Sequence, residues 1–442
     1  MNVSIEKIAA YRDAFLAKAE NRLHMNAVTS AGIDSACHSY CASIDTANSF
    51  SLQLPAGKIT SQKRSGRCWL FAASNVLRMQ VIKGLNLNDD FELSQPYLFF
   101  WDKLEKANYF LENILSTIQE AQGSRILDWL LAAPFGDGGQ WDMIVGIVKK
   151  YGMVPKTAMP ETAVTVETTK MNKLLTLKVR EYASVLRKAK ADGETMDMLS
   201  AKKDGMLQEI FNMLCICLGT PPTTFDFEIR TKDNQFIQDR GLTPLAFYEK
   251  YVKVDLSDYV SLINSPTATK PFYRTYTVAH LGSVIEASPV RYLNIPIEEF
   301  KAAALKQLQD GQPVWFGCDV GQMLDRDNGL MALDTYDYET LMGTSFPMDK
   351  ATRLDYGESL MTHAMVLTGV NLVEGTPNRW KVENSWSEES GIKGWYRMSD
   401  TWFDEYMYQV VIQKKYLTKE QLDALALEPI VLNPWDPMGS LA

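Results

Sequence analysis

The sequence is poor in cysteine and histidine, has no long apolar run, and carries fewer positive than negative charges. Six cysteines in 442 residues are too sparse for a disulfide scaffold, and a reducing compartment keeps such thiols free. Nowhere do about 18 apolar residues follow one another, which excludes a membrane-spanning helix. The opening stretch Met1 to Ile8 is polar and lacks the roughly 7 to 15 apolar residues of a secretory signal, so the chain is expected in the cytoplasm, away from any membrane. A formal net charge of -9 works against nonspecific binding to a phosphate backbone, which depends on clustered Lys and Arg. The short basic stretches Arg187-Lys188-Ala189-Lys190 and Lys202-Lys203 read as solvated helix faces, so nucleic acid is not an expected partner. There is no internal repeat and no low-complexity tract.

What is present is the balance of a folded globular protein, with 46% hydrophobic and 22% charged residues. The length suits two or three domains, since single cores stop growing at roughly 250 to 300 residues. Residues 4 to 26 read as one amphipathic helix, with Ile5, Ile8, Phe15 and Leu16 near a 3.6-residue period, packing on something larger. From Trp69 to about Lys83 the chain is apolar almost all round, the mark of a helix buried on most sides. Between about 155 and 255 the pattern is mostly helical: Met171 to Ala191, Asp204 to Leu218, and a third helix opened by Thr243-Pro244. Beyond residue 290, the runs Val290 to Ile295, Pro313 to Val320, Met365 to Val370, Arg379 to Glu383, Gly394 to Met398 and Gln409 to Gln413 read as strands of an antiparallel sheet, with a helix from Ile297 to Asp310.

One cysteine stands apart. In Gln62-Lys63-Arg64-Ser65-Gly66-Arg67-Cys68-Trp69, Cys68 lies where a polar, glycine-containing loop becomes the apolar helix. A helix N-terminus and a nearby imidazolium both stabilise a thiolate, so Cys68 is either a core thiol at a helix end or a nucleophile. Its base must be one of four histidines: His24, His38, His280 or His363. His24 ends a solvated helix and His280 sits in an unremarkable polar stretch. His38, in Cys37-His38-Ser39-Tyr40-Cys41, lacks the second Cys/His pair that a closed zinc site needs, so no metal is expected.

His363 differs, because a turn at Glu374-Gly375-Thr376-Pro377 folds its strand back on the one that ends near Asn384. A turn centred between Gly375 and Thr376 sets His363 beside Asn384. The amide oxygen then fixes one ring nitrogen and leaves the other for a thiol.

Gln62, Ser65-Gly66-Arg67-Cys68-Trp69, Thr362-His363-Ala364 and Glu383-Asn384-Ser385-Trp386, in that order, resemble the papain-like cysteine peptidases. The interval from Cys68 to His363 is 295 residues (363 − 68), against roughly 130 to 150 in ordinary members, so a large helical insertion is expected. That interval and the ending Pro434-Trp435-Asp436-Pro437-Met438-Gly439-Ser440-Leu441-Ala442 resemble the bleomycin hydrolase and aminopeptidase C branch, most of all its bacterial aminopeptidases C. The resemblance implies an α+β, papain-like two-lobe fold. Residues 1–154 would form an N-terminal segment and helical lobe, 155–288 the insertion, 289–428 the β lobe, and 429–442 an arm entering the active site.

It also implies roles. Cys68 attacks the scissile carbonyl, His363 carries the proton, Asn384 orients His363, and Gln62 donates to the oxyanion beside the Cys68 backbone N–H. Trp386 resembles the indole that shields the His to Asn bond. Gly138 and Gly139, otherwise a plain turn, would meet the substrate backbone. The Ala442 carboxylate would pair with the substrate's free amine, making an aminopeptidase of an endopeptidase scaffold. No cofactor is needed, peptides are the substrates, and a homohexamer is implied.

Two positions depart from the family pattern. Ser65 replaces the cysteine of secreted members, and Ser387 stands where glycine is usual, which strains the backbone if a positive φ is required there. Three other activities stay open: an endopeptidase on the same fold, a noncatalytic nucleic-acid or peptide-binding protein, and a glutaminase-like acyl transferase. Arg67, next to the nucleophile, is read either as an aid to thiolate formation or as a side chain reaching solvent.

Overall fold

The computed structural model describes residues 2–45 and 47–441. Two large hydrophobic cores meet at the strand His363–Val373. The first is helical and gathers the helices Cys68–Leu85, Gln95–Ser116, Trp141–Tyr151, Thr169–Ala191 and Met196–Leu218. The second lies in a large sheet, backed by the helices Ile297–Gln309 and Asp400–Tyr406. The fold is α+β.

The helix Cys68–Leu85 runs through the first core. Its first ten residues, Cys68 to Leu77, are all buried, as the all-round apolar pattern requires. A residue such as Trp69 or Leu70, both 0% exposed, contributes roughly 1.5–3 kcal/mol by leaving water. The helix stops at Asn86, whose left-handed φ of 50° turns its N–H back onto Ile82 and Lys83. At the other end no side chain caps it: the Arg67 carbonyl accepts from Leu70 and Phe71 N–H, at 3.0 Å each.

The strand order through the sheet is Ile430–Leu432, Arg274–Val278, Tyr292–Asn294, Tyr259–Ile263, Met407–Gln413, Val314–Cys318, His363–Val373, Thr376–Glu383, Trp395–Ser399, Leu330–Met331, Leu324–Asp325, with Leu52–Gln53 laid on His363–Val373. Most pairs are antiparallel, and three are parallel. Alternate residues of the His363–Val373 strand serve the two cores: Ala364 and Val366 join the helical one, Met365 and Leu367 the other. That strand is where the two lobes are joined.

Three expectations need correction. The N-terminal helix is two helices, Ile5–Ala17 and Ala19–Ala31, broken at an extended Lys18, and neither buries a residue in this chain. Its apolar face is exposed, with Ile5 at 81% and Leu23 at 67%. The segment read as helical from 155 to 255 holds the two helices, the second starting at Met196 behind the cap Thr195, but also an antiparallel hairpin of Phe225–Arg230 and Phe236–Leu242. The hairpin before Asn384 turns one residue earlier than expected, at Glu374-Gly375, where φ is 51° and 84°. Two positive φ values in a two-residue loop match the right-handed twist of the strands. The register brings Val366 opposite Glu383, so His363 and Asn384 are diagonal rather than direct neighbours.

Candidate active site

A diagonal offset still lies within side-chain reach. His363 opens its strand, Asn384 follows the last residue of the next, and His363 Nε2 lies 2.9 Å from Asn384 Oδ1. Asn384 Oδ1 also accepts from Ser385 N–H at 2.7 Å. An oxygen that accepts from both requires the proton on Nε2, which leaves Nδ1 as the ring nitrogen available to a thiol. Trp386 covers this pair, its ring centroid 4.8 Å from that of His363.

Cys68 is 2% exposed. Its thiol meets the N–H of Ala364, the residue after His363, together with the N–H groups of Trp69 and Cys68 itself. The last two are unpaired donors of a helix N-terminus, and the first comes from the strand that carries His363. Burial nevertheless dominates and pushes the Cys68 thiol up to about 11, against which those three N–H groups work. Burial likewise takes His363 down to about 4, opposed by the bond to Asn384. Burial thus disfavours the charged form of both groups.

Gln62 is buried. Its Nε2 donates to the Ser65 carbonyl at 2.6 Å and its Oε1 accepts from Ser385 Oγ at 2.7 Å. A carbonyl can only accept, so the amide orientation is fixed and one Nε2 hydrogen stays free. Ser385 thus holds both Gln62 and Asn384, a role sequence reasoning missed although Ser385 stood within the motif. Arg78, ten residues along the Cys68 helix, donates to Glu383 Oε1 at 2.9 Å and to the Lys58 carbonyl at 2.7 Å. Arg78 and Glu383 are each 1% exposed, so the cysteine's helix is tied directly to the residue before Asn384.

Arg67 takes neither of its expected roles. Its side chain is fully buried, bonds Glu161 at 3.0 Å and the Thr165 carbonyl at 2.8 Å, and lies over the Phe71 and Phe99 rings. Its charge is spent there. Ser387 has a φ of 71°, so a side chain occupies the left-handed region that glycine would enter freely. Trp386 keeps its place over His363 all the same.

Gly138 and Gly139 lie just ahead of the helix Trp141–Tyr151. Lys106 Nζ takes the Gly138 carbonyl at 2.6 Å, and a Cβ on Gly139 would come within 2.6 Å of the Trp69 ring. The close approach demands glycine there. Asp137 accepts from Gly66 N–H at 3.1 Å, from Lys103 at 2.6 Å, from Asn172 at 2.7 Å and from Thr168. Lys103 and these donors hold its carboxyl well below the usual range against burial.

The C-terminal segment packs beside them. Ser440 accepts from Gln140 Nε2 at 2.6 Å through its carbonyl and donates through Oγ to the Met361 carbonyl at 2.6 Å. Gln140 adjoins the glycine pair and Met361 lies two residues before His363. Beyond them Leu441 borders a cavity of about 260 Å³ whose walls include Phe110, Trp129, Met143 and Leu281. Ala442 lies outside the described residues. His38 bonds Asp325 at 2.6 Å and Cys41 is exposed; among the described residues no three His, Cys, Asp or Glu side chains converge as metal ligands. No helix among them is long and apolar enough to cross a membrane.

Comparison with known proteins bears on the same arrangement. A model of the Peptidase C1-like family matches residues 2–439. The chain is 49% identical over 418 residues to Aminopeptidase C of Streptococcus thermophilus, covering 94% of each, and 50% identical over 411 residues to that of Listeria monocytogenes, covering 93% of this chain and 92% of the other. It is 45% identical over 392 residues to the Bleomycin hydrolase of Mus musculus, covering 87% and 86%. The crystal structure of pepw from Lactobacillus rhamnosis superposes with a TM-score of 0.98 at 47% identity, covering 100% of this chain and 99% of that one.

Proposed function

The chain belongs to the Peptidase C1-like family and is a cysteine aminopeptidase, and on that premise we propose how its residues remove N-terminal residues from peptides. The observation that carries the mechanism is the His363 Nε2 to Asn384 Oδ1 bond of 2.9 Å beside a thiol at a helix N-terminus.

Catalysis begins when His363 Nδ1 takes the proton from Cys68 Sγ as sulfur attacks the carbonyl of the first residue. Charge grows on the carbonyl oxygen, where the Cys68 N–H and the free Nε2 hydrogen of Gln62 donate to it. The carbon–nitrogen bond then breaks, the His363 proton passes to the leaving amine, and a thioester remains on Cys68. Water, giving its proton to His363, attacks the thioester and releases the free amino acid. Cys68 recovers its proton in the last step, so the cycle consumes one water and needs no cofactor.

Substrate length is set by the C-terminal arm. Ser440, held between Gln140 and Met361, fills the groove beyond the first substrate residue. A carboxylate at Ala442 would meet the substrate's ammonium, and Gly138 and Gly139 would edge the peptide. The exposed apolar residues Ile5, Ile8, Phe15 and Leu23 of the N-terminal helices support assembly into a homohexamer. The setting is cytoplasmic, where six free cysteines stay reduced. The test compares an unblocked and an N-acylated chromogenic peptide with and without a thiol alkylator. Cleavage of the unblocked peptide alone, lost on alkylation, is expected; equal cleavage of both would make the enzyme an endopeptidase.

A further inference from the structure

The loop Gly136-Asp137-Gly138 is held from beneath at every carbonyl. Lys103 Nζ donates to the Gly136 carbonyl at 2.7 Å, Trp69 Nε1 to the Asp137 carbonyl at 2.7 Å, and Lys106 Nζ to the Gly138 carbonyl at 2.6 Å. A trans peptide sets each following N–H antiparallel to its carbonyl. The N–H groups of Gly138 and Gly139 therefore face away from that support.

The Asp137 carboxylate reaches sideways instead. One oxygen accepts from Gly66 N–H, two residues before Cys68, and from the Thr168 hydroxyl; the other accepts from Lys103 and Asn172. Thr168 and Asn172 stand at the start of the helix Thr169–Ala191, 100 residues and more from Cys68 in the chain (168 − 68). A buried ion pair alone says little, because desolvation offsets its attraction. A carboxylate with four donors from three segments fixes where those segments sit relative to one another.

We infer that Asp137 is a positioning residue through which the helix Thr169–Ala191 sets the spacing between the Gly138-Gly139 edge and the Cys68 loop, and so the fit of the substrate backbone. This rests on the reading of Cys68 as the nucleophile. The helix lies in the long segment between Cys68 and His363, which thereby acquires a part in catalysis.

The discriminating experiment uses the full chain with Thr168→Val and Asn172→Ala together, which removes two donors and keeps the Lys103 to Asp137 pair. Two rates are read: kcat/KM on an unblocked aminoacyl chromogenic amide, and alkylation of Cys68 by iodoacetamide, a probe too small to span the groove. Losing two charge-assisted bonds should lower kcat/KM on the order of tenfold, chiefly through KM. Alkylation should stay within about twofold of wild type, and Thr168→Ser, which keeps the hydroxyl, should retain near-normal kcat/KM. If the double variant does not fold, Asn172→Ala alone should show a drop of roughly threefold in the same direction. Unchanged kcat/KM overturns the inference, and so does an equal fall in alkylation, which would mean general loosening. Hydrolysis by Cys68→Ala would instead bring down the nucleophile assignment itself.

Discussion

Removal of Gly439 to Ala442 should convert the enzyme from one that requires a free N-terminus to one that does not. The stem of the arm stays in place without them: Asp436 pairs with Lys270 at 3.0 Å, Arg125 stacks on Trp435 at 3.7 Å, and Ile430–Leu432 pairs with Arg274–Val278. What is lost is the two Ser440 hydrogen bonds and the contact of Leu441 with the helical core. At about 1 kcal/mol net per bond the docked tip is held by roughly 2 kcal/mol, so it is undocked a few per cent of the time. Ser440→Ala removes the bond to Met361 and should raise that fraction about fivefold, to roughly a sixth. The assay is a pair of chromogenic amides, one unblocked and one N-acylated. In Ser440→Ala, cleavage of the acylated amide should rise about fivefold while the unblocked rate falls by less than about a quarter. In the truncated chain the acylated amide should be cleaved and the preference for a free amine should vanish. Unchanged preference in both variants would refute the arm as the length gauge.

Two further outcomes follow from single residues. Ser387→Gly relieves a φ of 71° and should raise the denaturant midpoint by the equivalent of about 0.5–1 kcal/mol, since strain outweighs the entropy gained by the unfolded glycine; destabilisation would show that the Ser387 Oγ bond to Glu389 N–H matters more. Burial lowers His363 from 6.5 to about 4, so the unfolded chain binds a proton between those values that the folded chain refuses. Stability attributable to His363 is complete above about 6.5 and is lost as pH falls, by at most about 3 kcal/mol below pH 4. His363→Gln should flatten that part of the acid-unfolding curve, and an identical curve would refute the lowered value.

The cysteine helix and the strands bearing His363 and Asn384 were legible because local pattern decides them: an apolar run behind a loop, and apolar strands around a Gly-containing turn. The turn was placed one residue late, because Glu374 gives no sign that it adopts a left-handed φ while Gly375 does. The hairpin Phe225–Arg230 was legible and passed over; Phe225, Phe227 and Ile229 alternate with Asp226, Glu228 and Arg230, a period of two inside a charge-rich, helix-dominated stretch. The break at Lys18 carries neither glycine nor proline, so nothing local announces it. The buried charges were out of reach for another reason. Arg67 to Glu161, Arg78 to Glu383 and Lys103 to Asp137 join residues tens to hundreds apart, and a lone Arg or Lys reads as surface until its partner is placed.

The central claim is that Cys68 forms a thioester with the substrate's first residue. Acid quenching of the enzyme during turnover of an unblocked aminoacyl ester, followed by mass analysis of its peptides, tests it directly. An adduct of one aminoacyl group on the peptide containing Cys68, absent from Cys68→Ala along with all hydrolysis, is the predicted result. An adduct elsewhere, or hydrolysis surviving in Cys68→Ala, would contradict it.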